Sequence, residues 1–129
     1  MERDKQFSAG LKYTFLVHFV VAGIFGLVFL LIPEIFGGMM GEVITDSTTY
    51  RQVGGALIAF AASSWFAWRE KAWERVKIVV QMEIVWTILG AVIILYGEFF
   101  ERLPAGDWMD FIILAAFAVA FIFFYSRRR

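Results

Sequence analysis

No cysteine occurs in this chain. Disulfide frameworks, thiol catalysis and thiolate metal sites are therefore excluded. A single histidine is present, too few within one copy for a bis-histidine haem or a multi-histidine zinc site. Charge is scarce as well. Asp, Glu, Lys and Arg make up 19% of the residues and sum to zero, whereas an ordinary soluble domain is about a quarter charged. No global field draws the chain toward nucleic acid. What fills the 129 residues instead is apolar: 60% are hydrophobic and 19% aromatic. This is not the composition of a soluble core with a polar shell.

The apolar residues fall into runs. A hydrocarbon core about 30 Å thick needs roughly 20 helical residues to cross it. Tyr13 to Ile32 is such a run, free of charge and closed by Pro33. Ile78 to Gly97 is a second, broken only by Gln81, Glu83 and Thr87. Val53 to Trp68 and Phe111 to Tyr125 are shorter. They reach full length if the helices start near Thr48 and Trp108, with Asp46-Ser47-Thr48 and Asp107 as N-caps. The runs are too long for strands and lack alternation. The expected fold is all-α: a polytopic antiparallel bundle of four transmembrane helices, spans about 13–33, 48–68, 77–97 and 108–126, in one domain covering 1–129. The connections 69–77 and 98–106 are short and make neighbours antiparallel. Glu34 to Gln52 is the longest loop, with apolar residues placed to lie in the interface. The N-terminal stretch does not read as a cleavable signal, so the first span is expected to be a retained anchor.

Lys and Arg accumulate on cytoplasmic loops. Arg3, Lys5, Lys12, Arg69, Lys71, Arg75, Lys77 and Arg127 to Arg129 lie on one side of this layout, and Arg51 and Arg102 on the other. Both termini are therefore expected in the cytoplasm, in a multi-pass protein of the cell membrane. Acids collect opposite, at Glu34, Glu42, Asp46, Glu98, Glu101 and Asp107.

Polar residues within the spans are the functional lead. His18, Glu83 and Ser63 each lie six residues from the nearest cytoplasmic charge, Lys12, Lys77 and Arg69. That is about 9 Å of helix rise. With Ser64, Gln81 and Thr87 they define a candidate intramembrane layer. Ionisable groups at this depth are costly in lipid, so His18 and Glu83 should face the bundle interior or water. Stripes of small residues, Ala22 and Gly26, then Gly55 and Ala59, then Gly90, suit close helix packing. At the outer face Arg51 can pair with Glu34, Glu98 or Asp110, and spacing alone does not choose among them. One histidine and one carboxylate are too few for a metal site, and no cofactor is expected.

The first helix ends in a Gly…Leu…Pro pattern (Gly26, Leu30, Pro33). The second opens with Arg-x-x-Gly (Arg51, Gly54) and ends near Trp65 and Trp68. The fourth begins near Trp108 and closes on Tyr125 to Arg127. In this the chain resembles a loosely defined group of small uncharacterised four-helix prokaryotic integral membrane proteins. The resemblance implies the fold and little about activity. His18 and Glu83 are not part of the shared pattern.

Three functions remain open. The first is a non-enzymatic membrane protein acting through helix packing, as a homo-oligomer or an accessory subunit of a membrane complex. The second is an oligomeric transporter or channel for protons, an ion or a small solute, using the His18/Glu83 layer. The third is a membrane-embedded enzyme acting on lipid or quinone.

Overall fold

A computed structural model describes residues 7–127. Its described residues are mostly helical, without strands. α1 covers Ala9–Leu31, α2 Pro33–Met39, α3 Ser47–Arg69, α4 Trp73–Tyr96 and α5 Asp107–Ser126, and a π-helical turn, Gly97–Glu101, prolongs α4. Helices α1, α4 with its π turn, and α5 are each long and apolar enough to cross a membrane. α3 matches them in length, with 23 residues, but Ser, Thr, Gln, Gly and Ala dilute its hydropathy below theirs.

Local chemistry sets the boundaries. The Ser8 side chain caps α1 by accepting from the Leu11 N–H. Pro33 disfavours helical geometry at Ile32, which breaks α1 there (φ −136°, ψ 47°). The same proline is suited to a first helical turn and starts α2. The segment after Pro33 is thus a short helix and not only loop. Asp46 caps α3 through the Thr49 N–H, as expected. Asp107, expected as an N-cap, is instead the first residue of α5, after Gly106, and makes no capping bond. Arg102 takes a left-handed conformation (φ 53°) and turns the chain away from the π turn.

α1 packs along α3 over most of their length, and α4 packs along α5. α5 also meets α1, while α3 and α4 touch more lightly. Two ends result. One is closed by an apolar cluster of Phe7, Leu11, Phe15, Ala67, Trp73, Val76, Val80 and Phe121. Lys12, Arg69, Arg75, Lys77 and Arg127 belong to the helix ends gathered there. Arg3, Lys5, Arg128 and Arg129 lie outside the described residues. At the other end Tyr50 donates to Glu42 (2.9 Å), and the α2 and 102–106 turns approach each other. The outward faces are apolar, with Val17, Ile24, Leu27, Val92, Ile93, Ile112 and Val119 all about half exposed or more.

Candidate functional site

The α1–α3 contact decides which polar side chains meet. α1 turns Leu11, Phe15, His18, Ala22 and Gly26 inward, and α3 turns Gly54, Ala61, Ser64 and Ala67 inward. A Cβ on Gly54 would lie 2.6 Å from the Leu30 nitrogen and 2.7 Å from the Gly26 carbonyl oxygen. The two backbones therefore touch, as small residues permit between membrane helices. This corrects the sequence expectation for α3. Gly55 and Ala59 are one step round the helix from the inward stripe and are exposed. Nothing lies within 4 Å of a Cβ built on Gly55. Ala22, Gly26 and Gly90 do face inward, and Gly90 lies against Leu114 of α5.

With α3 in that rotation, Ser64 and not Ser63 joins the interior layer. His18 Nδ1 and Ser64 Oγ are 2.7 Å apart. His18 Nε2 lies 3.2 Å from Glu83 Oε2. His18 is 3% exposed, and Ser64 and Glu83 are fully buried. Three helices, α1, α3 and α4, are thus tied at one level. With the Ser64 hydroxyl donating to Nδ1, the remaining proton of a neutral imidazole sits on Nε2, facing Glu83; a charged imidazolium donates on both sides. The Nε2–Oε2 approach is within ion-pair reach but off the line of a hydrogen bond. Both Glu83 oxygens therefore lack a donor among the described residues. Phe117 and Phe121 of α5 meet the imidazole edge to face, with centroids at 4.8 and 5.8 Å.

The other polar residues expected in this layer are engaged elsewhere. The Ser63 hydroxyl bonds back to the Phe60 carbonyl (2.8 Å). Gln81 donates to Tyr125 Oη (3.0 Å), joining α4 to α5 nearer the basic end. Thr87 is buried, but its hydroxyl donates to the Glu83 carbonyl oxygen (2.7 Å) within its own helix.

At the opposite end Arg51 selects Glu34. It donates to the Leu30 carbonyl (2.7 Å) at the close of α1 and reaches Glu34 at 3.5 Å. The Glu34 carboxyl is held below its ordinary range by its own backbone N–H at the start of α2, with smaller help from Ser47 and Arg51. Arg51 pairs with neither Glu98 nor Asp110. A buried Oε1 of Glu98 is without a hydrogen bond among the described residues. Asp110 faces a cavity of about 200 Å³ among all four long helices. His18 and Phe117 line its inner part, Trp86 its side, and Phe25, Phe29 and Asp110 its outer part. Nothing in the sequence marks this space, because a cavity depends on how helices diverge and leaves no trace in periodicity.

No group of three or more His, Asp or Glu residues among those described is arranged to hold a metal ion. Comparison with protein-family models, curated proteins and solved structures finds no match to the chain, so the four-helix group described above rests on its residue pattern alone.

Proposed function

We propose that this chain is a four-span protein of the cell membrane that works without catalysis, by associating with itself through α3. The fourth crossing is α3. A helix of 23 residues rises about 34 Å, and α3 lies along α1, which is apolar enough to cross. Both termini lie in the cytoplasm by the Lys/Arg bias.

One observation carries the self-association. α3 is the least apolar of the four long helices, yet it turns Gly55 and Ala59 outward with nothing against Gly55. Small residues four apart let membrane helices approach closely, and lipid gains nothing from them. The inward stripe of α3 is already used on α1, so the outward one is free for a second copy. The His18–Ser64–Glu83 contact then serves as an internal brace that keeps the α3 face in register.

The absence of cysteine makes the test clean. Single-cysteine variants Ala59→Cys and Val119→Cys, oxidised in native membranes, should give disulfide-linked dimers for the first and little for the second, on α5. Equal cross-linking at both positions sinks the reading. Gly55→Leu should shift native mass spectra from mild detergent toward monomer.

The second reading, a path for protons or a small solute, is favoured by the cavity that runs from Asp110 to His18. Against an open path stands the apolar cluster that fills the bundle on the other side of His18. Proteoliposomes under a pH gradient decide it: flux lost in both Glu83→Gln and His18→Ala supports a path. The enzymatic reading has less support. Ser64, His18 and Glu83 have the composition of a hydrolytic triad, but Ser64 is fully buried and does not line the cavity.

A further inference from the structure

We infer that the cavity between Asp110 and His18 is a binding site for a small organic cation with an aromatic body and an ammonium head. This goes beyond the self-association reading and does not depend on it.

The walls come first. Phe25, Phe29, Trp86 and Phe117 line the space, together with aliphatic side chains. Aromatic faces carry negative charge density and attract organic cations, most strongly once water is excluded. Apart from the one carboxylate of Asp110, a hydrated inorganic ion finds no side-chain oxygen there to replace its water, so the same walls disfavour it. The size fits one ring and a small head. An engineered apolar cavity of about 150 Å³ holds benzene, and this one measures about 200 Å³.

The polar end supplies the sign. Among the described residues Asp110 is the only acid that lines the cavity, and no Lys or Arg lines it. Asp110 makes no hydrogen bond or ion pair with any described residue. The charges that act on it are those of Asp107 and Glu42, both acids. Arg51, at the same end of the bundle, is engaged with Leu30 and Glu34. Asp110 is therefore a carboxylate at an apolar mouth with no counter-ion from the fold. An ammonium group there meets the carboxylate in low-dielectric surroundings, where a charge pair is stronger than in water. His18 offers no competing acceptor at the inner end, because Nδ1 is held by Ser64 and Nε2 faces Glu83. The ring of the ligand occupies that end, beside Phe117 and Trp86.

The test is equilibrium binding of tritiated benzyltrimethylammonium to the full-length protein in mild detergent. Neopentylbenzene, its uncharged isostere, is the competitor at matched free concentration. Saturable binding is expected, with the isostere at least roughly tenfold weaker. Asp110→Asn should weaken binding by roughly tenfold or more, and Asp110→Glu should retain most of it. Leu57→Trp, which fills the cavity from α3, should abolish it. Absence of saturable binding to the parent protein overturns the inference. So does equal competition by neopentylbenzene, which would make the space a general apolar pocket, or unchanged affinity in a folded Asp110→Asn. Should a variant lose its helical circular dichroism, the comparison of the two compounds on the parent protein decides alone.

Discussion

His18 and Ser64, on α1 and α3, meet at 2.7 Å with neither side chain open to solvent, while the other face of the imidazole turns to Glu83. The contact makes the stability of three helices depend on partners that cannot be removed singly without cost. Taking away His18 leaves a buried Glu83 without the imidazole beside it and opens a hole against Phe117 and Phe121. Truncating a buried ring beside a stranded polar group costs roughly 3–5 kcal/mol, whereas hydrogen bonds between membrane helices contribute about 0.6 kcal/mol each. His18→Ala should therefore destabilise the bundle far more than Ser64→Ala. The double variant His18→Leu/Glu83→Leu should recover much of the loss, because no buried polar group is stranded. Reversible unfolding in mixed micelles gives the cycle. Additive effects of the His18 and Glu83 replacements would show that the two do not interact.

Adjacent glycines on α3 should respond in opposite ways. At Gly54 a methyl group would meet the backbone of α1 at 2.6–2.7 Å, and backbone cannot yield as a side chain can. Gly54→Ala should force α1 and α3 apart at a cost of about 1–3 kcal/mol. At Gly55 the same methyl meets nothing within 4 Å. Gly55→Ala should be neutral, or more stable by up to about 1 kcal/mol from helix propensity. Thermal unfolding of the two variants in one detergent checks this. Similar losses at both would mean that α3 is rotated from the orientation described.

These two glycines also mark how far the sequence could be read. The long runs were legible because crossing a bilayer demands length and apolarity, and Asp46 was legible as a cap because capping is local. His18 and Glu83 stood out because ionisable groups within such runs are rare. The rotation of α3 was not legible. Gly54 and Gly55 are both small, as are Ser63 and Ser64, and a turn of about 100° per residue separates the choices. Only the helix that α3 packs against decides between them. Pro33 was legible as a stop but not as the start of α2, since the same residue serves both roles. Arg51 had several acids within plausible reach, and α2 settles the choice by bringing Glu34 beside it.

The start of α3 should loosen in acid. The Asp46 carboxyl accepts from the hydroxyl and the backbone N–H of Thr49. The Thr49 hydroxyl first, then that N–H, holds it below the ordinary Asp range. A depressed folded-state pKa contributes stability above the unfolded value, and the contribution is lost as pH falls through the folded one. The cap should thus persist through the ordinary carboxylate range and fail below it. Carboxyl ¹³C shifts of Asp46 should titrate at lower pH than a free aspartate, and Thr49→Ala should move the midpoint up. A midpoint unaffected by Thr49→Ala removes this account of the cap.

Charge placement gives the last prediction. Lys12, Arg69, Arg75, Lys77 and Arg127 belong to helix ends at the apolar-capped end of the bundle, and Arg51 and Arg102 to the opposite one. Basic residues near span ends resist translocation, so the first end should remain cytoplasmic. A reporter active only in the cytoplasm should work when fused after Arg129, and a reporter active only outside should work when inserted at Ala105, between the π turn and α5. The short α3–α4 connection and the helix ends that flank it carry Arg69, Lys71, Arg75 and Lys77 within nine positions, and charges at short connections weigh most in setting orientation. Replacing those four by Gln should give a mixed population, whereas replacing Arg102 alone should change nothing. An external signal from the Arg129 fusion of the parent chain would invert the whole assignment, and with it the side from which the Asp110 cavity is reached.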